Sequence, residues 1–140
     1  MSAYLDANVL LALLIQEPLT ERADRYIGST TGSVIVSDLA SAEFASAVAR
    51  RVQTREVTIE EARADLSDLD VWLVRCAQRV EIGAGDLMLA TTYLRGLDLA
   101  LLTPDAIHIA IAQRFGATLV TFDRQMAGCA RALGYPVITP

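Results

Sequence analysis

The chain has 140 residues, 53% hydrophobic and only 6% aromatic, so it can bury a substantial core, and that core must be aliphatic. Its 12 basic residues, all Arg, are outnumbered by 17 acidic ones; the net charge of −5 excludes a protein that coats nucleic acid by bulk electrostatics, but not an enzyme that acts on it. Cys76 and Cys129 are far apart and in no C-x-x-C pair, which argues against a disulfide framework and for free thiols in a reducing compartment.

In chain order, Ser2 to Leu5 reads as a short strand and Ala7 to Ile15 as a mostly apolar helix. The apolar run from Val9 to Ile15 is too short to span a bilayer, and Asp6 rather than a basic segment precedes it, so neither a membrane anchor nor a signal peptide is expected and the cytoplasm is the expected location. Pro18 and Thr20 open a second helix to about Gly28, and Thr30 to Ser33 is a turn. The β-branched Val34-Ile35-Val36 is a buried strand. Ser37 caps a long helix to about Thr54, with Asp38 in its first turn. Thr58 caps another, ending near Cys76, with an apolar stripe of Ile59, Ala62, Leu66, Leu69 and Leu73. These two helices predict a hairpin leaning over the sheet.

Val80-Glu81-Ile82 is a short strand, and Gly85-Asp86 leads into a helix through Gly96. Thr103 as N-cap and Pro104 at N1 open the next helix, which Gly116 ends. Thr118 to Phe122 is the best strand of the chain; Asp123 to Leu133 is helical, Gly134 is its C-cap, and Pro136 to Thr139 is a last strand. Strands alternating with helices predict an α/β fold with a mainly parallel sheet, in one domain spanning residues 1–140.

Four acids stand where hydrophobic runs end or helices begin: Asp6, Glu43, Asp105 and Asp123. Ligands of open parallel sheets gather at the carboxyl ends of the strands, where Asp6 and Asp123 fall. Brought together, the four make an oxygen-rich site for a hard divalent cation. Two carboxylates ~6 Å apart repel by roughly 3 kcal/mol at an effective dielectric near 20, and six such pairs sum to something on the order of 15 kcal/mol before solvent relief. One or two Mg²⁺ or Mn²⁺ ions remove that repulsion, orient a water and lower its pKa. Taken singly, Asp6, Asp105 and Asp123 also fit helix caps or first-turn residues. Capping does not reach Glu43, which sits inside a helix among Ala40, Ala42, Ala45 and Ala47.

The segments around these acids are Tyr4-Leu5-Asp6-Ala7-Asn8-Val9-Leu10-Leu11, Ser37-Asp38-Leu39-Ala40-Ser41-Ala42-Glu43, Leu102-Thr103-Pro104-Asp105-Ala106-Ile107-His108-Ile109-Ala110 and Leu119-Val120-Thr121-Phe122-Asp123. In this order and at this length the chain resembles a PIN-domain ribonuclease of the VapC toxin type. The resemblance implies a parallel sheet of four or five strands wrapped by helices, with Asp6, Glu43, Asp105 and Asp123 binding Mg²⁺ or Mn²⁺. It also implies endonucleolytic cleavage of RNA, a small VapB-like antitoxin as partner, and a homodimer. Asn8 and Thr121 match positions often polar in that family and would support the metal or its water.

His108, the only histidine, shares a helical face with Asp105; between a structural place and a supporting role at the acids, its Ile-rich surroundings favour the former. Arg50, Arg51 and Arg124 are candidate RNA-phosphate contacts, with a solvated helix face as the alternative reading. A catalytically silent interaction module on the same fold is the competing function. An aspartyl-nucleophile phosphotransferase is disfavoured, because no second Asp follows Asp6 two residues on and the chain has no Lys.

Overall fold

The computed structural model describes residues 1–140 and has five strands in one parallel sheet. The elements run β1 (Ala3–Leu5), α1 (Ala7–Leu14), α2 (Thr20–Ser29), β2 (Val34–Ser37), α3 (Asp38–Gln53), α4 (Ile59–Cys76), β3 (Gln78–Val80), α5 (Ala84–Arg95), α6 (Thr103–Arg114), β4 (Thr118–Val120), α7 (Arg124–Ala132) and β5 (Val137–Ile138). The strand order is β3-β2-β1-β4-β5, every pair parallel. The chain lays β1, β2 and β3 outward in one direction, then returns to place β4 and β5 on the other side of β1. The reversal falls between β1 and β4, and that is where an open sheet forms a crevice beyond its strand ends.

Period-2 alternation splits the core into two layers. Ala3, Leu5, Val36 and Val120 pack on one side with α1, α3 and α4, while Tyr4, Ile35 and Leu119 pack on the other with α6 and α7. The α3–α4 hairpin is present as the sequence predicts. Ala40, Phe44 and Val48 form the buried stripe of α3, facing Leu69 and Leu73 of α4 in the same cluster. Phe44 is fully buried there. Phe44→Ala is expected to cost about 3–5 kcal/mol through lost burial and a residual cavity, read as a lower urea midpoint at unchanged slope.

Several boundaries differ from the sequence reading. The third strand is Gln78–Val80, not Val80 to Ile82, because the main chain from Gln78 to Val80 pairs with Ile35 to Ser37. The Ile82 N–H instead donates to Asp38 Oδ1 at 3.0 Å, so the polar end of the strand docks onto the start of α3. The N-cap of α6 is Leu102 rather than Thr103, which puts Thr103 in the first turn and Asp105 at its third position. Regular β4 stops at Val120, although the Thr121 N–H still donates to Ile138 O at 3.1 Å. Asp86 is more than the cap residue its position suggests. It is buried, accepts from the Gly83 N–H at 2.7 Å, and receives two 2.8 Å hydrogen bonds from the Arg114 guanidinium, which lock α5 to α6. Gly116 and Gly134 have φ of +59° and +82°, the left-handed backbone that ends α6 and α7 at little cost only in glycine.

Candidate metal centre

Beyond the carboxyl ends of β1 and β4 lies a cleft of about 300 Å³ whose lining includes Asp6, Glu43, Asp105 and Asp123. The four acids arrive from separate parts of the chain. Asp6 follows β1 and caps α1, with Oδ1 accepting from the Ala7 N–H at 2.6 Å. Asp123 follows β4 and caps α7, its Oδ1 accepting from the Gln125 and Met126 N–H groups at 2.9 and 3.0 Å. The capping role is therefore real for both, and each carboxylate also faces the shared cleft. Asp105 is in the first turn of α6. Glu43 is mid-way along α3, where Glu43, Ser46, Ala47 and Arg50 form one stripe lining the cleft, and the small Ser46 and Ala47 leave the space open.

Thr121 organises the floor. Its hydroxyl donates to Asp6 Oδ2 at 2.7 Å and accepts from the Asp123 N–H at 2.9 Å and from Asn8 Nδ2 at 3.3 Å. Asn8 Oδ1 in turn accepts from the Phe122 N–H at 3.1 Å, so α1 is stitched to the β4–α7 turn. The two polar residues singled out in the sequence thus hold the carboxylates in place.

His108 is buried, as its Ile-rich setting suggests, and its ring also meets this cluster. It is 1% exposed. Its Nε2 is hydrogen-bonded to Glu43 Oε1 and lies 3.5 Å from Asp6 Oδ1, and its Nδ1 is 2.6 Å from the Tyr4 hydroxyl. The sequence carried a signal: Ile107, Ile109 and Ile111 mark the helix as apolar, and a lone imidazole buried in it must find polar partners. Potential ligand atoms of Asp6, Glu43 and His108 lie within 4.8 Å of one another. Asp105 and Asp123 stand outside that tight trio but line the same cleft.

The electrostatics agree with a site suited to a cation. Burial pushes the Asp6 carboxyl above the usual carboxylate range, while nearby His108 and the Thr121 hydroxyl pull it back. Burial also raises Asp105, and the Asp123 charge raises it further. Acids that resist ionisation because they are buried beside one another are relieved by a bound cation. The donor set is mainly carboxylate oxygen, which suits a hard divalent ion. The other candidates separate: Arg50 lines the cleft, Arg51 is engaged with Glu56 and Asp65, and Arg124 is not among the lining residues.

A family model described as PIN domain matches residues 3–132. The chain belongs to the PIN-domain family. Among named relatives, the ribonuclease VapC46 of Mycobacterium tuberculosis is 35% identical over 140 residues, which cover 98% of this chain and 96% of that protein, so the chain falls with the VapC ribonucleases of the family. The solved structure of VapC20 of Mycobacterium tuberculosis, a sarcin-ricin-loop-cleaving toxin, superposes with a TM-score of 0.77 at 19% identity and covers 99% of both chains. A chain of a toxin–antitoxin complex from Klebsiella pneumoniae superposes with a TM-score of 0.66 at 22% identity, covering 99% of this chain and 97% of its own. At those identities the two structures establish the PIN fold itself. No helix of this PIN domain is long and apolar enough to cross a membrane.

Proposed function

We propose that this PIN domain, residues 1–140, is a divalent-metal-dependent endoribonuclease and the toxin of a type II toxin–antitoxin pair. The observation that carries the reading is the convergence of Asp6, Glu43, Asp105 and Asp123, from four separate segments, on one cleft at the strand-order reversal. These four acids hold Mg²⁺ or Mn²⁺. A bound divalent cation supplies phosphate polarisation and a water acidic enough to attack near neutral pH. The protein supplies the geometry. Thr121 and the Ala7 N–H fix both Asp6 oxygens, and the α7 cap engages Asp123 Oδ1 while Oδ2 has no protein partner. A carboxylate oxygen that accepts one hydrogen bond retains a lone pair for a metal.

The substrate path follows α3. A second hollow of about 310 Å³ adjoins the first and shares Leu11, Ala47 and Arg50 with it. Arg50 is exposed and forms no ion pair, two helical turns from Glu43 on the same stripe. It holds a phosphate beside the scissile one. Arg50→Ala is expected to raise KM for an RNA oligonucleotide about tenfold, the loss of one charge-assisted contact, with kcat little changed. Steady-state kinetics at fixed ionic strength check it, and an unaltered KM removes Arg50 from the path.

The partner is a small VapB-like antitoxin, supported by the toxin–antitoxin complex among the fold neighbours. The toxin itself is a homodimer and acts in the cytoplasm. Induction of the protein followed by mapping of new 5′ ends in total cellular RNA tests the function. Discrete cleavage sites that vanish with EDTA in the purified reaction are expected; intact RNA in both settings leaves the silent-module reading standing.

A further inference from the structure

The geometry points to His108 as a positioning residue. We propose that a buried relay of Ser37, Tyr4 and His108 holds the Glu43 and Asp6 carboxylates in the arrangement a divalent cation requires. This rests on the metal reading of the same cleft.

The relay runs through four elements. Ser37, at the end of β2, caps α3, with its Oγ accepting from the Ala40 N–H at 3.1 Å. Ser37 Oγ is 2.7 Å from the Tyr4 hydroxyl of β1, and that hydroxyl is 2.6 Å from Nδ1 of His108 on α6. His108 Nε2 then meets Glu43 Oε1, back on α3. Tyr4, Ser37 and His108 are all buried, and their polar atoms find one another as hydrogen-bond partners.

Satisfying every donor sets the direction. Ser37 Oγ already accepts from Ala40, so its own proton goes to its other partner, Tyr4. Tyr4 then donates to His108 Nδ1, which places the ring proton on Nε2, aimed at Glu43. The reverse direction leaves the Ser37 hydroxyl proton without an acceptor in a buried setting. A ring with its proton on Nε2 and its Nδ1 lone pair taken by Tyr4 has no lone pair left to ligate a metal. His108 therefore acts through the carboxylates rather than as a ligand.

The need for such a device follows from Glu43. Its side chain is 37% exposed, has three rotatable bonds, and faces the charge of Asp6. Left alone it loses rotamer freedom whenever it meets a cation, and repulsion moves it away from Asp6 beforehand. The Nε2–H bonds Glu43, and Asp6 Oδ1 lies 3.5 Å from the same nitrogen, so one ring nitrogen holds Glu43 directly and keeps it beside Asp6. Both ends of the relay attach to α3, so the cap that starts the helix and the acid carried on it are held in one closed circuit.

The test measures Mn²⁺ affinity by the EPR signal of free Mn²⁺, using the full chain stripped of metal, for wild type, Tyr4→Phe, His108→Leu and His108→Gln. Loss of a group that orients a metal ligand costs about 10–100-fold in affinity, and His108→Leu is expected in that range. Tyr4→Phe, which keeps the ring and removes only the hydroxyl, weakens binding in the same direction by less. His108→Gln, with an amide N–H in reach of Glu43, recovers part of the loss. A merely structural role lowers the melting temperature but leaves the affinity of the folded protein unchanged. Wild-type or tighter Mn²⁺ binding by folded Tyr4→Phe and His108→Gln overturns the relay and leaves the metal site standing. Absence of Mn²⁺ binding by wild type overturns both.

Discussion

Asp6→Asn and Asp123→Asn each reduce RNA cleavage by about 10³-fold or more, equivalent to ~4 kcal/mol of transition-state stabilisation, while the chain stays folded. The fold survives because Asn keeps what the cap needs. Both positions are N-caps whose side-chain oxygen accepts backbone N–H groups, and Asn caps helices about as well as Asp. At position 6 the Asn oxygen keeps the bond from the Ala7 N–H, and only the bond from Thr121, whose two lone pairs are already taken by the Asp123 N–H and Asn8 Nδ2, is lost. What disappears is the negative charge and one ligand oxygen. End-labelled RNA with Mn²⁺, together with circular dichroism, reads the two effects separately. A folded Asp6→Asn protein that cleaves at the wild-type rate would falsify the metal assignment.

Divalent cations raise the melting temperature of the metal-free protein, and Asp105→Asn abolishes most of that rise. A ligand at a hundredfold excess over its Kd stabilises the native state by about 2.7 kcal/mol, roughly 9 °C for a chain of this length. Asp105→Asn also makes the metal-free protein more stable than wild type. The sign follows from burial and the Asp123 charge, which hold the folded Asp105 carboxyl above its ordinary range. An acid raised in the folded state stabilises that state when protonated, and this contribution is lost as pH rises through its folded pKa. At neutral pH the ionised Asp105 works against folding until a cation or the Asn amide relieves it. The same linkage makes metal-free wild type gain stability on mild acidification, before general acid unfolding begins. Differential scanning fluorimetry of both proteins across pH, with and without Mn²⁺, measures all four effects. A lower melting temperature for metal-free Asp105→Asn, or no response of wild type to millimolar Mn²⁺, contradicts a crowded acidic pocket.

The acids were legible in the sequence because each breaks a local pattern. Asp6 and Asp123 close hydrophobic runs, and Glu43 is an ionisable group on an Ala-rich stripe where nothing local needs one. In the structure Asp6 and Asp123 cap their helices and line the cleft at the same time, so the capping role does not take either carboxylate out of the cleft. The α/β alternation was readable for a similar reason: β-branched runs such as Val34-Ile35-Val36 and cap residues such as Ser37 and Thr58 carry their structure locally. Strand ends were less so. The third strand takes its register from β2, and a short Gln-Arg-Val segment carries no alternation strong enough to fix it alone. His108 was legible only in part: its neighbours Ile107, Ile109 and Ile111 announce burial, but its partners on β1 and α3 are brought to it only by the fold. The fork of Arg114 on Asp86 was invisible for the same cause: two residues 28 positions apart, on consecutive helices, meet only in three dimensions.

Anomalous diffraction from crystals grown with Mn²⁺ bears most directly on the cleft. A peak bounded by the carboxylates of Asp6, Glu43, Asp105 and Asp123, within coordination distance of Asp6, is the expected result. Crystals saturated with Mn²⁺ that show no peak in this cleft, or one elsewhere with these four side chains unengaged, contradict a metal centre built from them.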